Sequence, residues 1–133
     1  MHRDFPRNFD SLTALYQFAE DILAANEIAE AVRFPVHLAL EELFTNMVKY
    51  NPDTTGDIAV DVVVDEGAVT VTLTEDDVDE FDVTRPRDVD TSASLADRTP
   101  GGLGLYLLQN LVDKLEYDYR DRRSSVVFTK ESG

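Results

Sequence analysis

Two stretches of alternating residues near the middle of the chain constrain the fold more than any other feature. Aliphatic side chains occupy every second position over residues 58–64 and again over residues 69–73. A period of two places those side chains on one face of a β-strand. Glu66 and Gly67 lie between the two stretches, and a short glycine-containing turn joins antiparallel neighbours. The sequence therefore predicts a β-hairpin that buries one face.

Helical spacing of apolar residues predicts two helices before this hairpin. The first covers about residues 11–23, where apolar side chains recur every three or four positions. The second is predicted to begin with Pro35 in its first turn, where a missing amide hydrogen does no harm, and to end near Tyr50. Residues 26–33 would then connect the two helices.

The second half of the chain predicts a long loop, a helix and two further strands. Residues 75–100 have no sustained period, which is more typical of a lid or a disordered segment than of a plain connector. Helical spacing covers residues 104–113, and alternation returns at 115–119 and 125–130. We therefore predict a single α+β domain over residues 1–133, a two-layer sandwich with a mostly antiparallel mixed sheet and helices on one face.

The charge balance narrows the functions that such a domain can have. The chain carries 27 acidic and 12 basic side chains, a formal net charge of −15 at pH 7. Contacts with nucleic acid or an anionic membrane need lysine and arginine, so neither is expected as a direct partner. The chain has no cysteine, and its polar amino-terminal segment lacks the apolar centre of a secretory signal. We expect a cytoplasmic protein that spans no membrane.

The predicted second helix carries a polar stripe that has two interpretations. Glu42, Asn46 and Lys49 are spaced so that they share one helical face, roughly opposite the apolar one. A solvated stripe with a helical salt pair is the common explanation for such a pattern. The functional alternative is a site where a carboxylate accepts a proton, an amide oxygen binds a metal ion and an ammonium group contacts phosphate.

A glycine-rich segment leads directly into the predicted third helix. Glycines at positions 101, 102 and 104 leave the first backbone N–H groups of that helix unobstructed. A helix amino terminus carries a partial positive charge and can hold phosphate without lysine or arginine. A flexible turn before an ordinary amphipathic helix is the alternative, since the segment matches neither a P-loop nor a dinucleotide fingerprint.

The segment that leaves the second hairpin strand, residues 73–83, is rich in carboxylates. For most of them a solvated acidic loop is the expected explanation, because the EF-hand arrangement of ligands is absent. One carboxylate at this strand end could instead accept a hydrogen bond from the amino group of adenine. Guanine presents a carbonyl oxygen at that position, so an ionised aspartate would discriminate against it.

In their order along the chain, these three segments resemble the motifs of the Bergerat-fold ATP-binding superfamily, and most closely those of its anti-sigma factor serine/threonine kinases. Residues 42–50 are similar to the kinases' N-box, E-x-x-T-N-A-x-x-H/Y, and residues 101–107 to their glycine box, G-G-L-G-L-x-L. Residues 76–82 resemble the adenine loop, D-x-G-x-x-F-D, with Val78 at the position of its glycine. The resemblance implies a histidine kinase-like ATPase fold.

The resemblance assigns roles to residues on all three segments. It implies that Glu42 is the general base and that Asn46 binds Mg²⁺, the metal ion that accompanies ATP. Asp76 would accept the hydrogen bond from adenine, and residues 83–100 would form the ATP lid. The implied nucleotide-binding set combines the helical face, the adenine loop, the lid and the glycine box, namely Asn46, Lys49, Asp76, Phe81, Arg98, Thr99, Gly101, Gly102, Leu103, Gly104 and Leu105.

Two functions follow from this resemblance. The first is an ATP-dependent kinase that phosphorylates serine or threonine of a STAS-domain anti-anti-sigma protein, sequesters a sigma factor, or does both. The second is a non-phosphorylating regulator that binds such a partner on the same fold. Val78 favours the second, because a β-branched residue resists positive φ and fills space beside the base. An amino-terminal strand contributes to dimerisation in the family, so the resemblance also implies a homodimer, although only residues 3–9 are available for that strand.

Overall fold

A five-stranded antiparallel sheet and two long helices make up most of the described protein. The computed structural model describes residues 1–50, 56–78 and 108–131. The elements follow one another in the order β1 (His2–Phe5), α1 (Ser11–Ala25), α2 (Glu30–Tyr50), β2 (Ile58–Asp65), β3 (Ala68–Asp76), β4 (Lys114–Arg120) and β5 (Arg123–Lys130). Across the sheet the strands lie in the order β1-β2-β3-β5-β4, and every described pair is antiparallel. This architecture confirms the predicted α+β fold.

Two tight turns fix the register of the sheet. Glu66 and Gly67 join β2 to β3 with φ of 51° and 82°, and Asp121 and Arg122 join β4 to β5 with φ of 50° and 63°. Positive φ at both central residues is the signature of the type I′ turn, whose twist matches that of the strands. Buried aliphatic residues consequently pair across the first hairpin, Val60 with Leu73 and Val62 with Val71.

The core lies between the sheet and the helices. The fully buried apolar side chains of α2 in this core are Val36, Ala39, Leu43, Phe44 and Met47. Those of the sheet include Ile58, Val60, Val69, Val71, Leu73, Val126 and Phe128. Phe5 at the end of β1 packs edge-on against Phe18 of α1 and Phe44 of α2, with ring centroids 5.6 and 6.5 Å away. The amino-terminal strand is thereby joined to both helices.

Glu20 of α1 holds the two helices together at their outer surface. It accepts hydrogen bonds from Nε2 of His37 at 2.6 Å and from Nη1 of Arg33 at 2.8 Å. The hydrogen bond from His37 and the charge of Arg33 lower the pKa of Glu20, against the opposing effect of burial. The ring of His37 also stacks on Tyr16, with centroids 4.2 Å apart. These contacts orient α2 relative to α1.

The second helix starts earlier than the sequence pattern predicts. It begins at Glu30, so Pro35 lies inside the helix and the prediction of a first-turn proline is wrong. A proline at this position cannot donate the helical hydrogen bond to the carbonyl group four residues before it. Val32 and Val36 on either side of Pro35 are buried in the core. The free energy gained by burying these two side chains offsets the lost hydrogen bond. Local sequence preferences do not take this tertiary burial into account, so they placed the start of the helix too late.

Two other predicted segments are described only in part or are shorter than expected. The amino-terminal strand spans His2–Phe5 and pairs with β2, ending immediately before Pro6. Of the predicted helix over residues 104–113, the described part is helical at 108–111, and the residues before 108 lie outside the described ranges. Within those ranges, neither α1 nor α2 is apolar enough over a sufficient length to cross a membrane.

Phe44→Ala is expected to lower the free energy of unfolding by about 3–5 kcal/mol, the usual result of truncating a buried phenylalanine. Phe44 is fully buried and packs against Phe5, so the truncation leaves a cavity between α2 and the amino-terminal strand. Denaturant unfolding followed by circular dichroism measures the change. Phe9→Ala is the control, because Phe9 is 51% exposed. Equal losses in the two variants would contradict the assignment of Phe44 to the core.

Candidate functional site

The polar stripe of α2 lies against the protein interior. Asn46 is 0% exposed and sits between the buried residues Phe44 and Met47 in the helix. Glu42 and Lys49 on the same helical face are half-buried. The interpretation of the stripe as solvated is therefore excluded at Asn46. The predicted position of the stripe opposite the apolar face is also wrong, because the stripe borders the buried face of the helix. The same turns of α2 thus serve both the core and a polar site.

Two side chains of this stripe have buried polar atoms that form no hydrogen bond with any described residue. They are Asn46, through both Oδ1 and Nδ2, and Glu42, through Oε2. Leaving such an atom unpaired costs about 1–3 kcal/mol, and buried polar groups in native proteins are nearly always paired. The two residues are one helical turn apart, so the unpaired atoms indicate a ligand site on this face.

The donor set at this position fits a magnesium–phosphate ligand. An amide oxygen is a hard ligand that Mg²⁺ accepts, and Mg²⁺ usually keeps water and substrate phosphate as its other ligands. Asn46 offers such an oxygen, and Lys49 adds a cation on the same face. The carboxylate of Glu42 lies one turn away and is suited to accept a proton. The residues present therefore suit a metal-bound nucleotide.

Burial changes the acid–base behaviour of Glu42. Its pKa is raised above the ordinary value of 4.5, first by desolvation and then by the charge of Glu41, while Lys49 opposes the shift. A carboxylate with a raised pKa is a stronger base than an exposed one, which is the property required of a general base. Glu41 itself is exposed, as expected from its position beside Glu42 on the helix.

The end of β3 presents three consecutive residues in different environments. Asp76 is exposed and lies 3.0 Å from Nε of Arg123, on the face of the sheet opposite the buried residue Glu75. Asp77 is also exposed and has a left-handed backbone with φ of 57°. Val78 is buried, and its backbone N–H donates to the carbonyl oxygen of Arg122 at 3.0 Å. The loop turns at Asp77.

The sequence raised two objections to Val78 in the adenine loop, backbone strain at positive φ and the space that its side chain fills, and this geometry removes the first. The positive φ expected at that position is adopted by Asp77, and aspartate tolerates the left-handed region better than valine does. Val78 is held in place from both sides, because its carbonyl oxygen also accepts a hydrogen bond from the hydroxyl of Tyr119 at 2.8 Å. The β-branched side chain is therefore accommodated without backbone strain.

Three buried polar residues near this strand end were not singled out by the sequence analysis. Glu75 is 1% exposed and its Oε1 lies 2.5 Å from Nη1 of Arg7. Ser124, opposite Glu75 in the β3–β5 register, is 2% exposed. The sequence did indicate that Glu75 is buried, because Glu75 lies two residues after Leu73 and therefore on the same, buried face of β3. Arg7 carries no comparable signal, because its partner lies far away in the sequence.

Several predicted site residues lie outside the described part of the chain. They are the adenine-loop residue Phe81, the lid over residues 83–100 with Arg98 and Thr99, and the glycine box with Gly101, Gly102, Leu103, Gly104 and Leu105. Their roles stay predictions. Of the predicted set, the structure brings Glu42, Asn46 and Lys49 together on α2 and places Asp76 on the exposed side of β3.

An α+β domain with two helices packed on an antiparallel sheet, and with buried, unpaired polar atoms on one of those helices, is the class that this fold and candidate site define. The family model of the histidine kinase-like ATPase domain matches residues 5–130 of the chain. The chain belongs to this family. The match confirms the superfamily predicted from the three motifs.

Solved structures share the fold at low sequence identity. The crystal structure of the RsbU and RsbW domains of Rv1364c from Mycobacterium tuberculosis aligns with 98% of this chain and 32% of its own, at a TM-score of 0.69 and 14% identity. The histidine kinase AdeS of Acinetobacter baumannii aligns with 98% of this chain and 67% of its own, at a TM-score of 0.50 and 13% identity. A search of curated proteins finds no match. At these identities the likeness concerns the fold.

Glu42→Gln is expected to stabilise the protein at neutral pH in the absence of nucleotide. Because the folded state raises the pKa of Glu42, ionisation opposes folding, and the penalty grows as pH rises above the ordinary value of 4.5. The gain in unfolding free energy should therefore be present at pH 7 and vanish below about pH 4. Denaturant unfolding at several pH values measures it.

Glu116→Gln provides the control for this stability profile, because Glu116 is an exposed carboxylate on β4. Its substitution should leave the unfolding free energy nearly unchanged at every pH. A Glu42→Gln variant that is less stable than the wild type at pH 7 would contradict the inferred burial of an unpaired carboxylate.

Proposed function

We propose that the protein is an ATP-binding regulator of the anti-sigma factor type. In this proposal it phosphorylates serine or threonine of a STAS-domain anti-anti-sigma protein, sequesters a sigma factor, or does both. The observation that carries the proposal is the buried, unpaired amide of Asn46 beside the buried, unpaired carboxylate oxygen of Glu42. Membership of the histidine kinase-like ATPase family supports ATP as the nucleotide.

The roles of the α2 residues follow from their chemistry. Asn46 would bind Mg²⁺ through Oδ1, and Lys49 would contact phosphate oxygens. Bound Mg²⁺ supplies charge neutralisation for phosphoryl transfer. Glu42 would accept the proton of the attacking hydroxyl group at Oε2, the atom that lies buried and unpaired. The glycine box and the lid would complete the phosphate site through backbone N–H groups and through Arg98 and Thr99.

A second candidate function is a regulator that binds its partner without phosphorylating it. The exposed position of Asp76 favours this alternative, because its carboxylate pairs with Arg123 on the outer face of the sheet. An adenine base contacted only from there would be held weakly. The alternative differs from the kinase in lacking phosphoryl transfer, whether or not nucleotide binds.

Charge and sheet topology support protein partners. The formal net charge of −15 favours a basic partner surface, since opposite charges steer association. β1 lies at one edge of the sheet, where a second copy of the chain could pair with it, and a homodimer is therefore part of the proposal.

Asn46→Ala is expected to abolish the Mg²⁺-dependent part of ATP binding, because it removes the amide oxygen proposed as the metal ligand. Calorimetric titration with ATP, with and without Mg²⁺, measures this. Gln17→Ala removes an amide from the exposed surface of α1 and should leave both titrations unchanged. Wild-type affinity for Mg-ATP in Asn46→Ala would refute the metal-ligand role.

Glu42→Gln is expected to retain ATP binding and to lose phosphoryl transfer by about 100-fold or more, the usual contribution of a positioned general base. Mass spectrometry of a STAS-domain protein incubated with Mg-ATP measures transfer. Glu116→Gln is the control, since it changes an exposed carboxylate on β4, away from α2. Undiminished phosphoryl transfer by Glu42→Gln would mean that another residue is the base. If the wild-type protein itself transfers no phosphate, the non-phosphorylating regulator is favoured.

A further inference from the structure

A groove runs along the outer seam between α1 and α2. Glu20 contacts Arg33 and His37, and Tyr16 contacts His37, so the two helices run antiparallel along this seam. Two adjoining cavities of about 310 and 290 Å³ lie on it. Both are lined by Tyr16, His37 and Glu41. We call the two cavities together the α1–α2 groove.

The walls of this groove are largely apolar. Leu12 and Leu40 line one cavity, and Phe34 and Leu38 line the other. Phe34 is 65% exposed and Tyr16 is 54% exposed, and they are two of the three large aromatic side chains exposed in the described ranges. A single exposed aromatic residue needs no explanation, whereas two that line one concave apolar surface indicate a contact surface.

Tyr16 is held with one face of its ring open. The imidazole of His37 stacks on the ring, with centroids 4.2 Å apart and an angle of 27° between the planes. The hydrogen bond from Nε2 of His37 to Glu20 holds the imidazole in place. Because Tyr16 is nevertheless more than half exposed, a planar cation can stack on its free face. A guanidinium group has the shape and charge for this contact.

Carboxylates border the two aromatic side chains. Glu30 lines one cavity and Glu41 lines both, and each is exposed and forms no ion pair with any described residue. Arg33 does not neutralise them, because it is paired with Glu20 at 2.8 Å. The groove therefore combines an apolar floor with a negative border, which complements a partner surface that carries cations beside an apolar stripe.

The length of the groove suits a short helical segment. Leu12 lines one cavity and Glu20 the other, and they lie about two turns apart on α1, or about 12 Å. A third helix can pack its side-chain ridges into the groove between two antiparallel helices. Peptide recognition by an apolar groove commonly uses an amphipathic helix whose anchors recur every three or four residues.

We propose that the α1–α2 groove docks a basic amphipathic helix of a protein partner. An arginine of that helix stacks on Tyr16 and pairs with Glu41, and an apolar side chain packs on Phe34. The inference rests on the part of the proposed function in which the protein binds a protein partner. A second copy of the chain is a poorer occupant, because 27 acidic against 12 basic side chains make two copies repel each other.

A designed peptide tests this docking directly. The probe is a helical peptide of about 15 residues with leucines in one stripe and arginines at its borders. Calorimetric titration without nucleotide gives its dissociation constant, and a scrambled peptide of the same composition measures the attraction due to net charge alone. The designed helix should bind about tenfold or more tightly than the scrambled peptide. Equal affinities would overturn the proposal.

Phe34→Ala and Phe9→Ala are a matched pair of variants for this titration. Both residues are exposed phenylalanines, but only Phe34 lines the groove. Phe34→Ala should weaken binding of the designed helix by about tenfold, the usual effect of truncating an aromatic anchor of an interface. Phe9→Ala should leave the affinity unchanged. The proposal is overturned if the two variants bind the helix equally well.

Glu41→Gln and Glu116→Gln separate a specific contact from general electrostatic attraction. Each removes one negative charge from an exposed position, so attraction due to net charge falls equally in both. Glu41→Gln should weaken binding a few-fold more than Glu116→Gln, because only Glu41 lines the groove. The titration contains no nucleotide, so the effect of Glu41 on Glu42 does not enter the result. Equal losses would reduce the interaction to net charge and contradict the proposal.

Sedimentation velocity distinguishes a partner helix from a second copy in the groove. Phe34→Ala should leave the oligomeric state of the protein unchanged. A wild-type dimer that Phe34→Ala converts to a monomer would mean that a second copy covers the groove, and would overturn the proposal.

Titration with Mg-ATP keeps this inference distinct from the proposed function. Selective binding of the designed helix by a protein that does not bind Mg-ATP would support the groove and overturn the nucleotide part of the proposed function. Binding of Mg-ATP without any preference for the designed helix would overturn the inference alone.

Discussion

The packing of α2 against the sheet is the interaction on which the rest of the structure depends. Leu43, Phe44 and Met47 anchor the helix in the core, and Glu42 and Asn46, on the same turns of the helix, lie at the border of that core. Because the helix cannot rotate without exposing its anchors, its polar groups are held in place before any ligand binds. The same burial raises the pKa of Glu42, so a single packing arrangement fixes both position and proton affinity.

Arg7 extends this arrangement to the amino-terminal segment. Its guanidinium group contacts the backbone of α2, the side chain of Glu75 in β3 and the backbone of Gly56, two residues before β2, and all three are distant from Arg7 in the sequence. A planar group with five donors can make such divergent contacts, which an ammonium group on a flexible stem could not reproduce. The short strand β1, joined to the core through Phe5, brings Arg7 to this point.

The low identity to solved structures of the same fold has a physical explanation. A two-layer α+β sandwich requires apolar residues at the correct period and turns at the correct places, and many sequences satisfy both conditions. The site is more demanding, because particular donors and acceptors must face one another. Family membership therefore establishes the fold, and the chemistry has to be argued from Glu42, Asn46 and their neighbours.

The sequence by itself determined most of the secondary structure and the candidate residues of the site. The hairpin, the two long helices apart from the start of α2, and the strands β4 and β5 followed from local periodicity, and the resemblance to the N-box singled out Glu42 and Asn46. Only the tertiary structure decided that Asn46 is buried, that Pro35 lies within a helix and that Arg7 is the partner of Glu75. Periodicity indicates which residues share a face of one element. It does not indicate which other element covers that face, or which distant side chain pairs with a residue on it. Those features depend on contacts between residues far apart in the sequence, such as Arg7 and Glu75, which meet only when the chain folds.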